Sequence, residues 1–193
     1  MTRGNGGGLP LDRYPREIVL RSGARFLLRP MVQDDADRLW DFFQRIPPRD
    51  RMFFRRDVGR REIVQEWADA LDYRRILPIL AWDGDRVAGD ATLHRETAGW
   101  KQRVGVVRVQ VAPEYRHLGL GTTMIRELRH LGEKAGLRYL MAEVVEEQAA
   151  ALAAFEKLGF ARAASYRDFV NDQGGRLHNL VVLLYAMPSL QNG

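Results

Sequence analysis

Between Arg116 and Gly121 the sequence reads RHLGLG, set between an alternating apolar stretch, VGVVRVQV (104–111), and a segment of helical periodicity at 122–134. Two glycines let the chain reach positive φ and let a ligand approach bare backbone. The unbonded amides of a first helical turn point outwards, and the helix dipole adds partial positive charge there. Consecutive amides of this kind make a concave anion site. A pyrophosphate suits such a cradle, with Arg116 as a full charge at its mouth and Thr122 as a hydroxyl beside the first turn. A plain tight connection uses glycine for the same steric reason, so the turn alone is open to both readings. Two other phosphate motifs fit poorly. A P-loop needs a lysine after its last glycine, whereas Thr122 and Thr123 follow here. A dinucleotide fingerprint needs three spaced glycines after an early strand, and this turn has two, late in the chain.

The other chemistry-bearing residues are dispersed. The chain has no cysteine, which removes disulfides, thiol catalysis and cysteine-based zinc sites, and fits a reducing compartment. His94, His117, His130 and His178 form no close ligand pair, so no metal is expected. The run RDRMFFRRDVGRR (49–61) interleaves arginines with aromatics. It suits RNA, an acidic substrate or a nucleotide phosphate, and a solvated loop–helix junction is the simplest account. No nucleic-acid motif accompanies it, so a nucleic-acid partner is not expected. A formal net charge of +5 favours anions in general without choosing among them.

The elements that must position the turn follow from periodicity. With 193 residues, 46% of them hydrophobic, the composition suits one packed domain over 17–187, with a glycine-rich tail at 1–16 and a short tail at 188–193. The start lacks the apolar core of a signal peptide and no run is long enough to span a membrane, so a cytoplasmic protein is expected. Residues 26–28 read as a first strand. Asp34 or Asp35 suits the cap of a helix whose apolar face is Ala36, Leu39, Trp40, Phe43 and Ile46, ended by Pro47 and Pro48. A second helix is expected over 62–71. Strands at 76–82 and 86–95 flank Asp83-Gly84-Asp85, a hairpin signal. Strand 104–111, helix 122–134, strand 137–145, a helix closed by Gly159, and a strand pair at 160–170 and 177–187 complete the order. This predicts an α/β fold: a mixed, mostly antiparallel twisted sheet with helices on both faces.

The chain resembles the GNAT N-acetyltransferases. R-x-x-G-x-G after a strand ending V-x-V-A-P is similar to that family's acetyl-CoA motif, and EVVEEQAAALAAFEKLGF (143–160) resembles its second cofactor-contacting helix. The likeness covers residues 26–187. It implies that the pyrophosphate of coenzyme A lies on the amides of His117, Leu118, Gly119, Leu120, Gly121 and Thr122 beside Arg116. It also implies that the pantetheine arm follows Val109, Gln110 and Val111 in a gap between splayed strands, with Gln148 and Phe155 on the second helix. PPRDRMFFR (47–55) and AEVVEEQ (142–148) resemble bacterial protein-lysine acetyltransferases, which implies a small-molecule amine or a protein lysine as acceptor and leaves a homodimer open.

Three positions depart from the family pattern. Its frequent asparagine and tyrosine are here Gln148 and Phe155, and Phe155 has no proton to give. The glutamate base of the lysine-acetylating branch is replaced by Val106. Glu143 is the candidate substitute base and Tyr166 the candidate acid, although a carboxylate paired with arginine and a half-buried strand residue are the simpler accounts of each. An acyl-CoA-binding sensor without turnover therefore stays beside the enzyme as an alternative, and a basic RNA-binding protein stays as a third.

Overall fold

In the computed structural model, the structure describes residues 9–51, 54, 56–172 and 174–188. The glycine-rich start at 1–8, the end at 189–193, and positions 52, 53 and 55 of the basic run lie outside the described residues. The chain runs β1 (Arg16–Val19), β2 (Arg25–Pro30), α1 (Ala36–Arg45), α2 (Pro48–Arg51), α3 (Arg61–Asp69), β3 (Ile76–Asp83), β4 (Arg86–Arg95) and β5 (Val104–Val111). It continues as α4 (Leu120–Lys134), β6 (Tyr139–Val145), α5 (Ala149–Glu156), β7 (Ala161–Asn171) and β8 (Leu177–Ala186). The strands form one sheet in the order β1-β2-β3-β4-β5-β6-β8-β7. Every neighbouring pair is antiparallel except β5–β6, which the α4 crossover makes parallel.

Alternation along the strands divides the core between two faces. Leu77, Ile79, Leu93, Val107, Leu140, Ala142, Val181 and Leu183 pack with Leu120, Met124, Leu128 and Leu131 of α4 and Leu152 and Phe155 of α5. On the opposite face, Leu80, Trp82 and Val87 pack with Leu39, Phe42 and Phe43 of α1 and Val64 and Ala68 of α3. Among the described residues, no side chain of β5, β6, β7 or β8 belongs to that second cluster. One face is thus covered by α4 and α5, whereas the α1–α3 layer stops at β4.

Two local details sharpen the sequence reading. Asp35 precedes α1 without capping its amides: its carboxylate instead accepts the Val32 amide at 2.8 Å and takes Arg29 in two bonds of 2.6 and 2.7 Å. It closes the 3-10 turn Gln33–Asp35 that leads into α1. Residues 9–15, which composition assigns to a tail, are packed. Leu9, Leu11 and Tyr14 lie against the core, and Arg16 donates to buried Glu127 of α4 at 2.6 Å. The preceding glycines conceal this anchoring.

Candidate active site

Strand β5 turns into α4 through the 3-10 turn Pro113–Tyr115. Two residues then take positive φ: His117 at 64° and Gly119 at 92°. Glycine relieves the second position, while His117 holds a left-handed conformation that costs about 1–2 kcal/mol for a residue with a Cβ. Leu118 packs against the core and Leu120 is 1% exposed, so these two residues pin the turn. The amide of Thr123 donates back to the Gly119 carbonyl at 3.1 Å. Among the described residues, the amides from His117 to Thr122 have no backbone acceptor. They stand at the N-terminus of a 15-residue helix. Helix α4 starts at Leu120, two residues before the periodicity suggests, because the Gly119 turn lets Gly121 join its first turn.

The turn opens onto a gap in the sheet. β5 and β6 are paired only from Val104↔Tyr139 to Val106↔Met141. β5 continues against β4 as far as Gly89↔Val111, and β6 against β8 as far as Val145↔Leu180. The two strands therefore part at their C-terminal ends, where α4 begins. Hydrogen-bond alternation identifies the groups left facing the gap. The Ala112 amide donates to Ala88 at 3.0 Å, which directs Gln110 and Arg108 towards β4. Beyond the last pair, Val106↔Met141, the amides and carbonyls of Val109 and Val111 face β6 across the gap. By the same alternation, the Glu146 amide donates to Asn179, leaving the Glu143 backbone facing β5. Arg116 stands at the mouth. Its Nε donates to the Val111 carbonyl at 3.1 Å, and its terminal nitrogen reaches Asp50 of α2 at 2.9 Å.

Side chains alternate the other way. Val106, Arg108 and Gln110 of β5, Met141 and Glu143 of β6, and Val182 and Leu184 of β8 lie opposite α4, beyond the reach of the α1–α3 layer. They floor an open face beside the gap. Asp90 borders it: it is half-buried, is the partner of Leu80 on one side and Gln110 on the other, and accepts the Thr92 hydroxyl at 3.0 Å. Burial pushes its carboxyl up to about 6, against the Thr92 bond and the Arg108 charge, which both pull it down.

The predicted residues do not all meet there. Val109, Val111 and residues 116–122 converge on the gap, Gln110 turns its backbone to β4 and its side chain to the open face, and Glu143 stands on the far rim. Gln148 immediately precedes α5, its amide donating to the Val145 carbonyl at 2.9 Å. Phe155 is 5% exposed in the core, edge-on to Phe160 at 5.0 Å, and offers the gap no polar group. Tyr166 is not brought to the gap. It lies 45% exposed on the edge strand β7, stacked on Phe169, two strand spacings or about 10 Å beyond β6. Asp90 and Asp50 carry no motif. The only signal for Asp90 was an acid within the apolar alternation of 87–93.

A model of the acetyltransferase (GNAT) family matches residues 36–160, more than half of the chain. Streptothricin acetyltransferase of Streptomyces lavendulae is 33% identical over 79 residues, covering 41% of this chain and 40% of that protein. The ribosomal protein bS18-alanine N-acetyltransferase of Escherichia coli K12 is 34% identical over 76 residues, covering 39% and 51%. The chain thus spans about half or less of the length of the curated relatives it matches. Among solved structures, the GNAT domain of S. lividans PAT superposes with a TM-score of 0.72 at 20% identity, over 89% of this chain and 96% of that one. yncA from Salmonella typhimurium, solved with its cofactor acetyl-CoA, gives 0.72 at 15% identity, over 85% and 95%. These likenesses carry the fold. The family match shows that this chain belongs to the GNAT acetyltransferase family.

Proposed function

We propose that the protein is an acetyl-CoA-dependent N-acetyltransferase that moves an acetyl group to a primary amine, of a small molecule or a protein lysine. The carrying observation is the gap between β5 and β6, unpaired beyond Val106 and Met141, opening onto the bare amides of 117–122. The residues fit coenzyme A. A Cβ at Gly119 would meet nothing within 4 Å, and one at Gly121 only Val111 Cγ2 at 3.5 Å, so the amides lie open to an anion. They would hold the pyrophosphate with the field of α4, while the backbone of Val109 and Val111 would hold the pantetheine amides as a neighbouring strand does.

Bound acetyl-CoA would supply an activated thioester. The Val109 amide would donate to the carbonyl oxygen as charge develops on it. The open face would admit the acceptor from the side opposite α4, where the Glu143 carboxylate favours a cationic amine. Holding amine and thioester together supplies much of the acceleration even where proton transfer is weak. A reducing, cytoplasmic location suits a chain without cysteine.

The second reading is an acyl-CoA sensor without turnover, favoured by the absence of a hydroxyl at buried Phe155. Incubation with acetyl-CoA and a panel of amines and lysine peptides, followed for CoA release, separates the two. Release with at least one amine supports the enzyme, and tight binding without release supports the sensor. Absence of acetyl-CoA binding overturns both.

A further inference from the structure

We propose that Asp90 is the proton acceptor for the incoming ammonium, with Glu143 acting as a charge at the rim that draws the acceptor in. The assignment rests on the acetyltransferase reading above and goes beyond it, since no motif marks Asp90.

Ala91 is the Cα partner of Val109, so Asp90 is the next residue along β4 from the one opposite the carbonyl-binding amide. Its own partner is Gln110. Val107 packs under α4, so Arg108 and Gln110 point to the open face, and Asp90 and Thr92 share that face as their cross-strand partners. Glu143 is exposed and stands on the other side of the gap. Asp90 is half-buried where the α1–α3 layer ends, with one oxygen held by Thr92.

The surroundings suit proton transfer near neutrality. On β3 the neighbour is apolar Leu80, and α1 meets β4 through Phe42 and Phe43 in the cluster with Val87. The nearby α1 arginines are directed elsewhere, Arg38 to Asp85 and Arg45 to Glu114. On β4 itself, His94 is the partner of Val106, four residues along. On β5, Arg108 is the charged group that acts on Asp90. A carboxyl raised by burial is a better base for an ammonium than an exposed one while remaining ionised at pH 7.

The step balances. The ammonium gives one proton to the Asp90 carboxylate, and the neutral amine attacks the thioester carbonyl. The C–N bond forms, the C–S bond breaks with its electron pair on sulfur, and the second nitrogen proton passes through water to the thiolate. Asp90 then releases its proton to solvent.

The test compares wild type, Asp90→Asn, Thr92→Val and Glu143→Gln by pH profile, calorimetric acetyl-CoA titration and carboxyl carbon NMR of the protein alone. Asp90 should titrate near pH 6. Asp90→Asn should keep acetyl-CoA affinity and lower kcat by about 100-fold, with loss of the acid limb. Thr92→Val removes the bond that favours the ionised form, so it should move the limb to higher pH. Glu143→Gln should raise KM and keep the limb. An Asp90 carboxyl that titrates near 4, or an Asp90→Asn enzyme with the limb intact, overturns the assignment. Wild type that binds acetyl-CoA yet releases no CoA with any amine overturns the enzymatic reading, and this proposal with it.

Discussion

Gly121 separates folding from binding. Alanine there brings a Cβ that meets one atom within 4 Å, Val111 Cγ2 at 3.5 Å, an ordinary contact. The position lies in the first turn of α4, where alanine is favoured over glycine by up to about 1 kcal/mol. Gly121→Ala should therefore leave the melting temperature of the free protein unchanged or raised by up to about 4 °C. Gly121→Glu places a carboxylate beside the amides proposed for the pyrophosphate. Two like charges about 5 Å apart at an effective dielectric of about 20 repel by about 3 kcal/mol, so CoA affinity should fall at least about 100-fold. The assay is calorimetric titration with CoA, beside thermal unfolding of each free variant. If Gly121→Glu stays folded and binds CoA within threefold of wild type, the turn is not the pyrophosphate site. Should Gly121→Ala melt well below wild type, the account of its surroundings fails.

Further outcomes follow from the packing. Glu127 is 3% exposed and binds Tyr14 and Arg16, so Glu127→Gln should destabilise the fold by about 2–3 kcal/mol in urea unfolding and loosen residues 9–16 to proteolysis. A Cβ at Gly89 would sit 2.7 Å from Met124 Sδ and 3.2 Å from the Gln110 carbonyl, so Gly89→Ala should cost about 1–3 kcal/mol in the same measurement. His178 bridges Glu147 at 2.8 Å and Asp172 at 3.1 Å. Those hydrogen bonds raise its imidazole above the ordinary range and lower both carboxyls. The raised imidazole stabilises fully below its unfolded value near 6.5 and is lost as pH rises through the folded value. The lowered carboxyls contribute above their unfolded values near 4 and fade as pH falls. His178→Gln should therefore flatten the decline in melting temperature above pH 6.5, measured by thermal unfolding across pH.

Much of the fold is legible in local pattern because its signals are local. Asp83-Gly84-Asp85 lies between strands that pair from Ile76↔His94 to Asp83↔Arg86, and the apolar spacing of Leu39 and Phe43 matches α1. The RHLGLG turn stands where strand and helix meet. What depends on distant partners is not legible. β1 contributes one buried side chain, Ile18, within a charged segment, and owes its conformation to pairing with β2. α2 follows immediately on a proline break, because Pro48 supplies a favourable first helical residue. Asp90 looks like any strand carboxylate until Leu80 and Gln110 are placed beside it. Tyr166 illustrates the reverse. Its type suits an acid, and the strand order carries it to the outer edge.

The central claim is that the parted strands and the bare amides of 117–122 form one coenzyme A site, and amide-resolved NMR during titration of the labelled protein with CoA tests it most directly. Concerted, saturable shifts are expected at His117 to Thr122 and at Val109 and Val111, with β1 and β2 unmoved. Saturable binding that leaves those amides in place and shifts another surface would contradict it.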